Sequence, residues 1–390
     1  MLFQELADEN VGVCVSGGLS SLTVAVWLAQ SGVPVTAFVA DIGQASTDDL
    51  GALVKSLEAA GVPTVVVDLR DETAQLAVDL VRYQATHDGG YWNTTSGSRM
   101  VLVAGLADPM RRAGCTVLAH GCVGGGNDQR RFQQYAAALA PDLRVVSPWT
   151  DPGLLSRFPG RDDMARLIAD LGIVADRRCT ADYSVDGSIA GFAHDGTALE
   201  RLQTPDATAW RVLSVSPREA PDEAETITVT VEQGRPACID GEPATARGLL
   251  DRVNTLAGRH GVGLRGVVEN RINGTKCRGL YEAPGLEVLG FCVARVYQLA
   301  MDREALRLMS SLSDLIGRGV YEGRYLSPDI RAARAAADVL IDSAPATAEV
   351  TVDVYKGGIS FSGLSHRPAG QLPPRQTRFT GGGQHWQVVA

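Results

Sequence analysis

From Val11 to Leu171, short apolar runs alternate with stretches whose apolar residues recur at helical spacing. Strands are predicted at VGVCV (11–15), PVTAFVA (34–40), PTVVVD (63–68), CTVLAH (115–120) and RVVSP (144–148). Helices are predicted near 20–31, 46–60, 71–85, 98–113, 127–139 and 161–171, with Gly32 and Gly61 where helices stop. Such alternation predicts a parallel sheet covered by helices. Beyond residue 180 the rhythm changes. TITVTVEQGRPACIDGE (226–242) and EVTVDVYKGGISFSG (349–363) are hairpin-like, and helices are predicted near 245–259, 287–300, 302–317 and 328–342. The expected fold class is α/β, with a second α+β domain. The expected division is 1–172, 173–365 and a Pro-, Arg- and Gly-containing extension, 366–390. The pattern contains no internal repeat and no heptad run.

Residues 11–40 carry no charge, yet Gly17, Gly18, Gly32 and Pro34 break the run. The pieces are shorter than the ~20 apolar residues a bilayer span needs. The start, MLFQELADEN, is acidic and lacks the basic-then-apolar order of a signal peptide. The seven cysteines are widely spaced and form no C-x-x-C pair, which suits free thiols in a reducing, cytoplasmic compartment and disfavours structural zinc. A net charge of −9 argues against general nucleic-acid binding. Neither a membrane nor a nucleic acid is an expected partner.

Two glycine-rich loops carry the candidate chemistry. Ser16-Gly17-Gly18-Leu19-Ser20-Ser21 follows the first strand and opens the first helix. Unsatisfied N–H groups at a helix start favour an anion, and glycine lets a phosphate approach the backbone. The loop lacks the lysine of a Walker A sequence and the spacing of G-x-G-x-x-G, so a dinucleotide fold is disfavoured. The plain alternative is a strand–helix turn capped by serine. HGCVGGGNDQRRF (120–132) repeats the strand–loop–helix arrangement, and Asn127 and Arg131 share a helix face suited to a carboxylate. Its plain alternative is a flexible loop with a solvated arginine. Two such loops at strand carboxyl ends mark the place where α/β crevices bind ligands.

YWNTTSGSR (91–99) is either an N-cap cluster or a polar site segment. VVENRINGTKCRGLYE (267–282) crowds Glu269, Arg271, Lys276, Arg278 and Glu282 into a short run. A surface hairpin carries such charges, but the apolar start points to partial burial. A buried carboxylate needs a cation, and a ligand ammonium can supply it.

These motifs, taken in order, resemble argininosuccinate synthases. They are SGGLSS, ADIGQ (40–44), TSGSR (95–99), HGCVGGGNDQRRF, PWTDP (148–152), YSVDGS (183–188), VENRINGTKCRGLYEAP and VYKGG (354–358). The resemblance runs to about Ser365 and implies an N-terminal adenine-nucleotide α-hydrolase-like domain with an ATP-pyrophosphatase-type loop. It implies a carbon–nitrogen ligase that uses ATP and magnesium, adenylates the ureido oxygen of citrulline, and displaces AMP with aspartate. It also implies cytoplasmic dimers or tetramers assembled through the second domain and the C-terminal extension.

Carried over residue by residue, the resemblance puts citrulline against Tyr91, Ser96, Asn127, Arg131, Ser184, Glu269 and Tyr281. It puts the nucleotide against Ser16, Gly17, Gly18, Leu19, Ser20, Ser21, Ala40, His120, Gly121, Gly124 and Gly126. The amine donor falls at Val123, Asn127 and Asp128. No catalytic side chain and no metal ligand is assigned. Where the family loop reads SGGLDTS, this chain has Ser20 for the acid and Leu22 for the last serine. A family lysine is Gly125, a threonine that contacts aspartate is Val123, and a serine near citrulline is Ala193. These changes suggest an altered amine and a role in specialised metabolism. They also leave open a non-catalytic homologue that holds a citrulline- or arginine-like ligand.

Overall fold

Val11–Val15 forms β1, buried along its whole length and hydrogen-bonded on both edges. The computed structural model describes residues 2–365 except 45–46, 125, 177, 179–181, 197–198 and 200. The expected extension 366–390, Cys179 and Gly125 therefore lie outside the described residues. Val35–Asp41 (β2), Thr64–Asp68 (β3), Val117–His120 (β4) and Arg144–Val146 (β5) complete a parallel sheet ordered β3-β2-β1-β4-β5. Successive residues of β1 face opposite layers. Val13 and Val15 join a core with Leu28, Val117 and Ile168, whereas Cys14 joins a core with Phe38 and Leu118. The chain winds one way from β1 to β3, then crosses to β4 on the other side of β1. A crevice opens where that direction reverses, at the strands' carboxyl ends.

The remaining strands are Tyr183–Ser188 (β6), Gly191–Gly196 (β7), Glu225–Glu232 (β8), Arg235–Ile239 (β9), Glu242–Pro243 (β10), Leu264–Asn270 (β11), Lys276–Glu282 (β12), Ala348–Tyr355 (β13) and Gly358–Ser365 (β14). They form two antiparallel sheets, β10-β9-β8-β13-β14 and β11-β12-β7-β6. Alternate residues of β13 are buried, so the first of these sheets presents an apolar face to helix Pro284–Ala300. One apolar cluster runs from Phe38 and Leu118 to Ile227 and Val350, tying this region to the parallel sheet.

Two features depart from the hydrophobic pattern. β6 and β7 have polar, glycine-containing sequences, and their pairing with each other and with β12 holds them extended. The helix expected from 98 begins at Thr94, because Thr94–Ser98 are polar yet buried and leave no apolar period to read. Among the described residues no helix is long and apolar enough to cross a membrane. The described cysteines Cys14, Cys115, Cys122, Cys238, Cys277 and Cys292 are free thiols.

Candidate active site

The reversal between β1 and β4 opens a cleft of about 600 Å3 that reaches β6, β7 and β12. Ser16, Gly18, Leu19, Ser20 and Ser21 line it after β1, and Ala40 lines it from β2. His120, Gly121, Val123, Gly124 and Gly126 line it after β4. Tyr91, Ser96, Asn127, Asp128, Arg131, Ser184, Glu269 and Tyr281 line the same cleft. Gly17 is not a lining residue. Its φ of +86° suits glycine and turns the chain, and its carbonyl accepts from Asp176 N–H at 3.0 Å.

Main chain and hydroxyls build the first loop. Gly18 is the extended N-cap of helix Leu19–Gln30, with no side-chain cap and no acid in the first turn. Ser21 turns back on the loop: its hydroxyl accepts from Ser16 N–H at 3.1 Å and donates to the Gly18 carbonyl at 3.0 Å. Trp149 Nε1 donates to the Ser20 carbonyl at 3.2 Å. What the loop offers an anion is the helix N-terminus, with about half a positive charge, and its N–H groups.

The second loop lies directly on the first. A Cβ on Gly121 would stand 2.4 Å from Ser21 Cα, so only glycine lets the loops close. His120 stacks on Phe132 at 4.7 Å, with Nε2 3.1 Å from Ser147 Oγ. Burial pushes the imidazole down to about 4, so it is neutral at pH 7. Val123 is 51% exposed in the cleft and offers a bare isopropyl group there. Gln44 Nε2 occupies the Ala40 carbonyl at 2.7 Å, leaving Ala40 as apolar floor.

The region around helix Asn127–Leu139 is charged and braced. Asp128 lies between two buried arginines: Arg131 Nη1 donates to it at 2.6 Å and Arg99 Nη2 at 2.9 Å. Burial pushes its carboxyl up, but Arg99 and Arg131 outweigh burial and hold it well below the usual carboxylate range. Arg99 also pairs with Asp186 on β6. Arg131 donates through Nε to the Tyr321 carbonyl at 2.7 Å, and its guanidinium lies 4.8 Å from the Tyr321 ring centroid.

Glu269, on β11, is 3% exposed. Its Oε1 accepts from Tyr321 Oη at 2.8 Å, while its Oε2 is buried without a hydrogen-bond partner. Leaving such an oxygen unpaired costs about 1–3 kcal/mol or more, so it is an opening for a donor. Asn127 spans the same cluster, donating to Tyr321 Oη at 2.9 Å and accepting from Ile272 N–H at 3.0 Å. Tyr91 stacks on Tyr281 at 3.7 Å, and its hydroxyl accepts from the N–H groups of Thr95 and Ser96 at 3.1 Å each. Ala193 pairs with Tyr281 across β7 and β12, placing a methyl beside this group.

Three important residues were not singled out from the sequence. Arg99 and Asp186 lay inside quoted motifs, but nothing local signals a pair 87 residues apart. Tyr321 ends the amphipathic helix Arg303–Tyr321, where an aromatic reads as core. Among the described residues no group of three or more His, Cys, Asp or Glu side chains is arranged to hold a metal ion.

Comparison with known proteins identifies the family. Residues 10–165 match the Arginosuccinate synthase N-terminal HUP domain, and residues 183–368 match the Arginosuccinate synthase C-terminal domain. The chain is 33% identical to the argininosuccinate synthase of Erwinia tasmaniensis, over 92% of this chain and 88% of that one. It is 35% identical to the Vibrio vulnificus protein of the same name, over 90% and 87%. The Idiomarina loihiensis one is 33% identical, over 90% and 86%. The chain belongs to the argininosuccinate synthase family of ATP-dependent, AMP-releasing carbon–nitrogen ligases.

Proposed function

We propose that this chain uses ATP to adenylate the ureido oxygen of citrulline or a citrulline-like acceptor, and that an amine then displaces AMP. The family's reaction makes argininosuccinate from citrulline and aspartate. The amine proposed here is aspartate or an altered one, serving specialised metabolism. The observation that carries the acceptor assignment is Glu269 Oε2, buried and unpaired, in a cluster that also holds the Arg131 guanidinium. Opposite charges braced on Tyr321 suit the ammonium and carboxylate of an α-amino acid.

The chemistry follows from the weakness of a urea as an electrophile. Transfer of AMP to the ureido oxygen forms a P–O bond while the bond to pyrophosphate breaks. The carbon then gains a C–N bond as its C–O bond to AMP breaks. The enzyme's contribution is to hold the reactants in line and to stabilise phosphoryl charge. The first loop supplies N–H groups and a helix N-terminus for that charge. Ser96, Ser184, Tyr91 and Tyr281 shape the acceptor end, and Asn127 bridges acceptor and donor ends.

The described residues do not form a magnesium site of their own, so the ion would come bound to the nucleotide. Magnesium is usually held by one or two carboxylates together with phosphate oxygens. Asp128 is already committed to two arginines, and no carboxylate cluster is present among the described residues. Bound with the nucleotide, magnesium would neutralise phosphate charge. Val123 supports the altered amine, since its isopropyl group gives a donor carboxylate no hydrogen bond. We assign nucleotide binding to 1–172, and assembly into cytoplasmic dimers or tetramers to 173–365, which completes acceptor binding together with Tyr91, Ser96, Asn127 and Arg131.

The test is AMP release across a panel of ureido acceptors and amines with ATP and magnesium. Release that needs both citrulline and an amine is expected, with at least one amine outrunning aspartate. Aspartate as the best amine would refute the altered donor. Citrulline binding with no AMP from any pair would refute the ligase and leave the non-catalytic ligand-binding reading.

A further inference from the structure

We propose that Tyr321 is the positioning residue of the acceptor pocket: its hydroxyl fixes the Glu269 carboxylate so that the other oxygen faces the acceptor's ammonium. The inference rests on the acceptor reading above and concerns a side chain that is not among the residues placed against the acceptor there.

Tyr321 touches each charged or amide group of the cluster in a different way. Its hydroxyl donates to Glu269 Oε1 at 2.8 Å and accepts from Asn127 Nδ2 at 2.9 Å, so both its roles are used. Its carbonyl accepts from Arg131 Nε at 2.7 Å, and the guanidinium lies over its ring. His87 stacks on the ring with centroids 3.6 Å apart. The phenol is therefore held by stacking, by main chain and by two side-chain hydrogen bonds. Cys277 Sγ also donates to Glu269 Oε1, at 3.7 Å, so two donors hold that oxygen and orient the carboxylate. Its free oxygen is then an aimed acceptor.

The helix carrying Tyr321 is fastened closely enough to hold such an aim. A Cβ on Gly317 would lie 2.1 Å from the Thr86 carbonyl oxygen, and one on Gly323 would lie 2.9 Å from Arg131 Cα. Asn93 Nδ2 donates to the Gly317 carbonyl at 2.9 Å. Neither glycine leaves room for the helix end to shift relative to the 83–93 segment or to the Arg131 backbone. Small errors in such supporting groups loosen a site, because first contacts depend on how their partners are held.

The experiment compares citrulline with 5-ureidopentanoate, which keeps the carboxylate and ureido group and lacks the ammonium. Both are titrated calorimetrically into the full chain and into Tyr321→Phe, which retains ring and main chain. The unaltered protein is expected to prefer citrulline by tenfold or more. Tyr321→Phe should reduce that preference to threefold or less by weakening citrulline alone, with ATP affinity unchanged. Equal weakening of both ligands would mark Tyr321 as merely structural and overturn the proposal. Glu269→Gln separates the two claims. If it leaves citrulline affinity unchanged, the acceptor reading itself fails. If it weakens citrulline while Tyr321→Phe does not, only the positioning role fails. Should Tyr321→Phe not fold, 3-fluorotyrosine is placed at position 321. Its fluorine resonance should shift with citrulline and stay put with 5-ureidopentanoate, and an identical response to both would overturn the proposal.

Discussion

The two ends of the cleft are built from different materials. Around the first loop, anion attraction comes from main chain and a helix terminus, and nearby His120 is neutral. Around Arg131, Asp128 and Asp186 are matched by arginines and Glu269 is held by Tyr321, with side chains drawn from β6, β11 and three helices. The difference teaches which changes each end tolerates. A main-chain cradle depends on backbone path and on close approach, so glycine positions govern it. A charged pocket depends on partners, so losing one side chain leaves another buried without compensation.

Gly121→Ala should give the largest effect. Its Cβ would press on the Ser21 backbone rather than on a pliable side chain. The overpacking should cost about 3 kcal/mol or more, with ATP affinity falling roughly 100-fold and acceptor affinity nearly unchanged. Calorimetry with each ligand separately checks it. Equal loss of both ligands would break the distinction between the ends.

Acid should separate the ends next. His120 is held neutral at about 4, below its ordinary value of 6.5, because burial disfavours its charged form. Its unfolded form takes a proton between those values and its folded form does not. Stability present above pH 6.5 should therefore be lost as pH falls toward 4, by about 3 kcal/mol in all. The Asp128 carboxyl, held below that window by Arg99 and Arg131, should not contribute to the loss. Melting curves from pH 8 to pH 4.5 check this. His120→Asn should flatten the decline, and an equally steep decline in that variant would exclude the histidine.

Arg131→Ala should act at the other end. Charge-assisted hydrogen bonds are worth about 1.5–3 kcal/mol each, so acceptor affinity should fall more than tenfold while ATP affinity holds. Unchanged acceptor binding would remove the arginine from the pocket. Ser20→Asp should have the smallest effect, a rise of a fewfold in magnesium-dependent AMP formation. An acid in a helix's first turn is favourable by about 0.3–1 kcal/mol, and it would give magnesium a nearby ligand. A drop in rate would mean that the loop's present charge balance already suits the nucleotide.

How far these ends can be read from sequence follows the same division. The cradle is contiguous: SGGLSS and HGCVGGGN announce turns, glycines and helix starts within a few residues, and the structure places both loops at the switch between β1 and β4. Helix Asn127–Leu139 was legible to the residue because the glycine run in the sequence stops at its true start. The acceptor end is dispersed. Glu269 drew notice as an acid in an apolar strand, but its partner lies 52 residues away in a helix whose tyrosine looks like core. Arg99, Asp128 and Asp186 meet through sheet pairing and helix packing, and no spacing rule encodes that meeting. β6 and β7 were missed for the same reason, since their partners rather than their composition make them strands.

Main-chain donors also bear on how such a protein can change over generations. A substitution replaces a side chain and leaves the amide beneath it, proline excepted. The N–H groups of the loop between Ser16 and Ser21 thus persist through most point changes, whatever side chains stand at positions 20 and 22. Drift at that end can revise metal dependence or rate in small, survivable steps. The interlocked arginines and carboxylates opposite offer no such gradual path, because each change there needs a simultaneous second one. New chemistry in this scaffold therefore has its shortest evolutionary route through the backbone-built end.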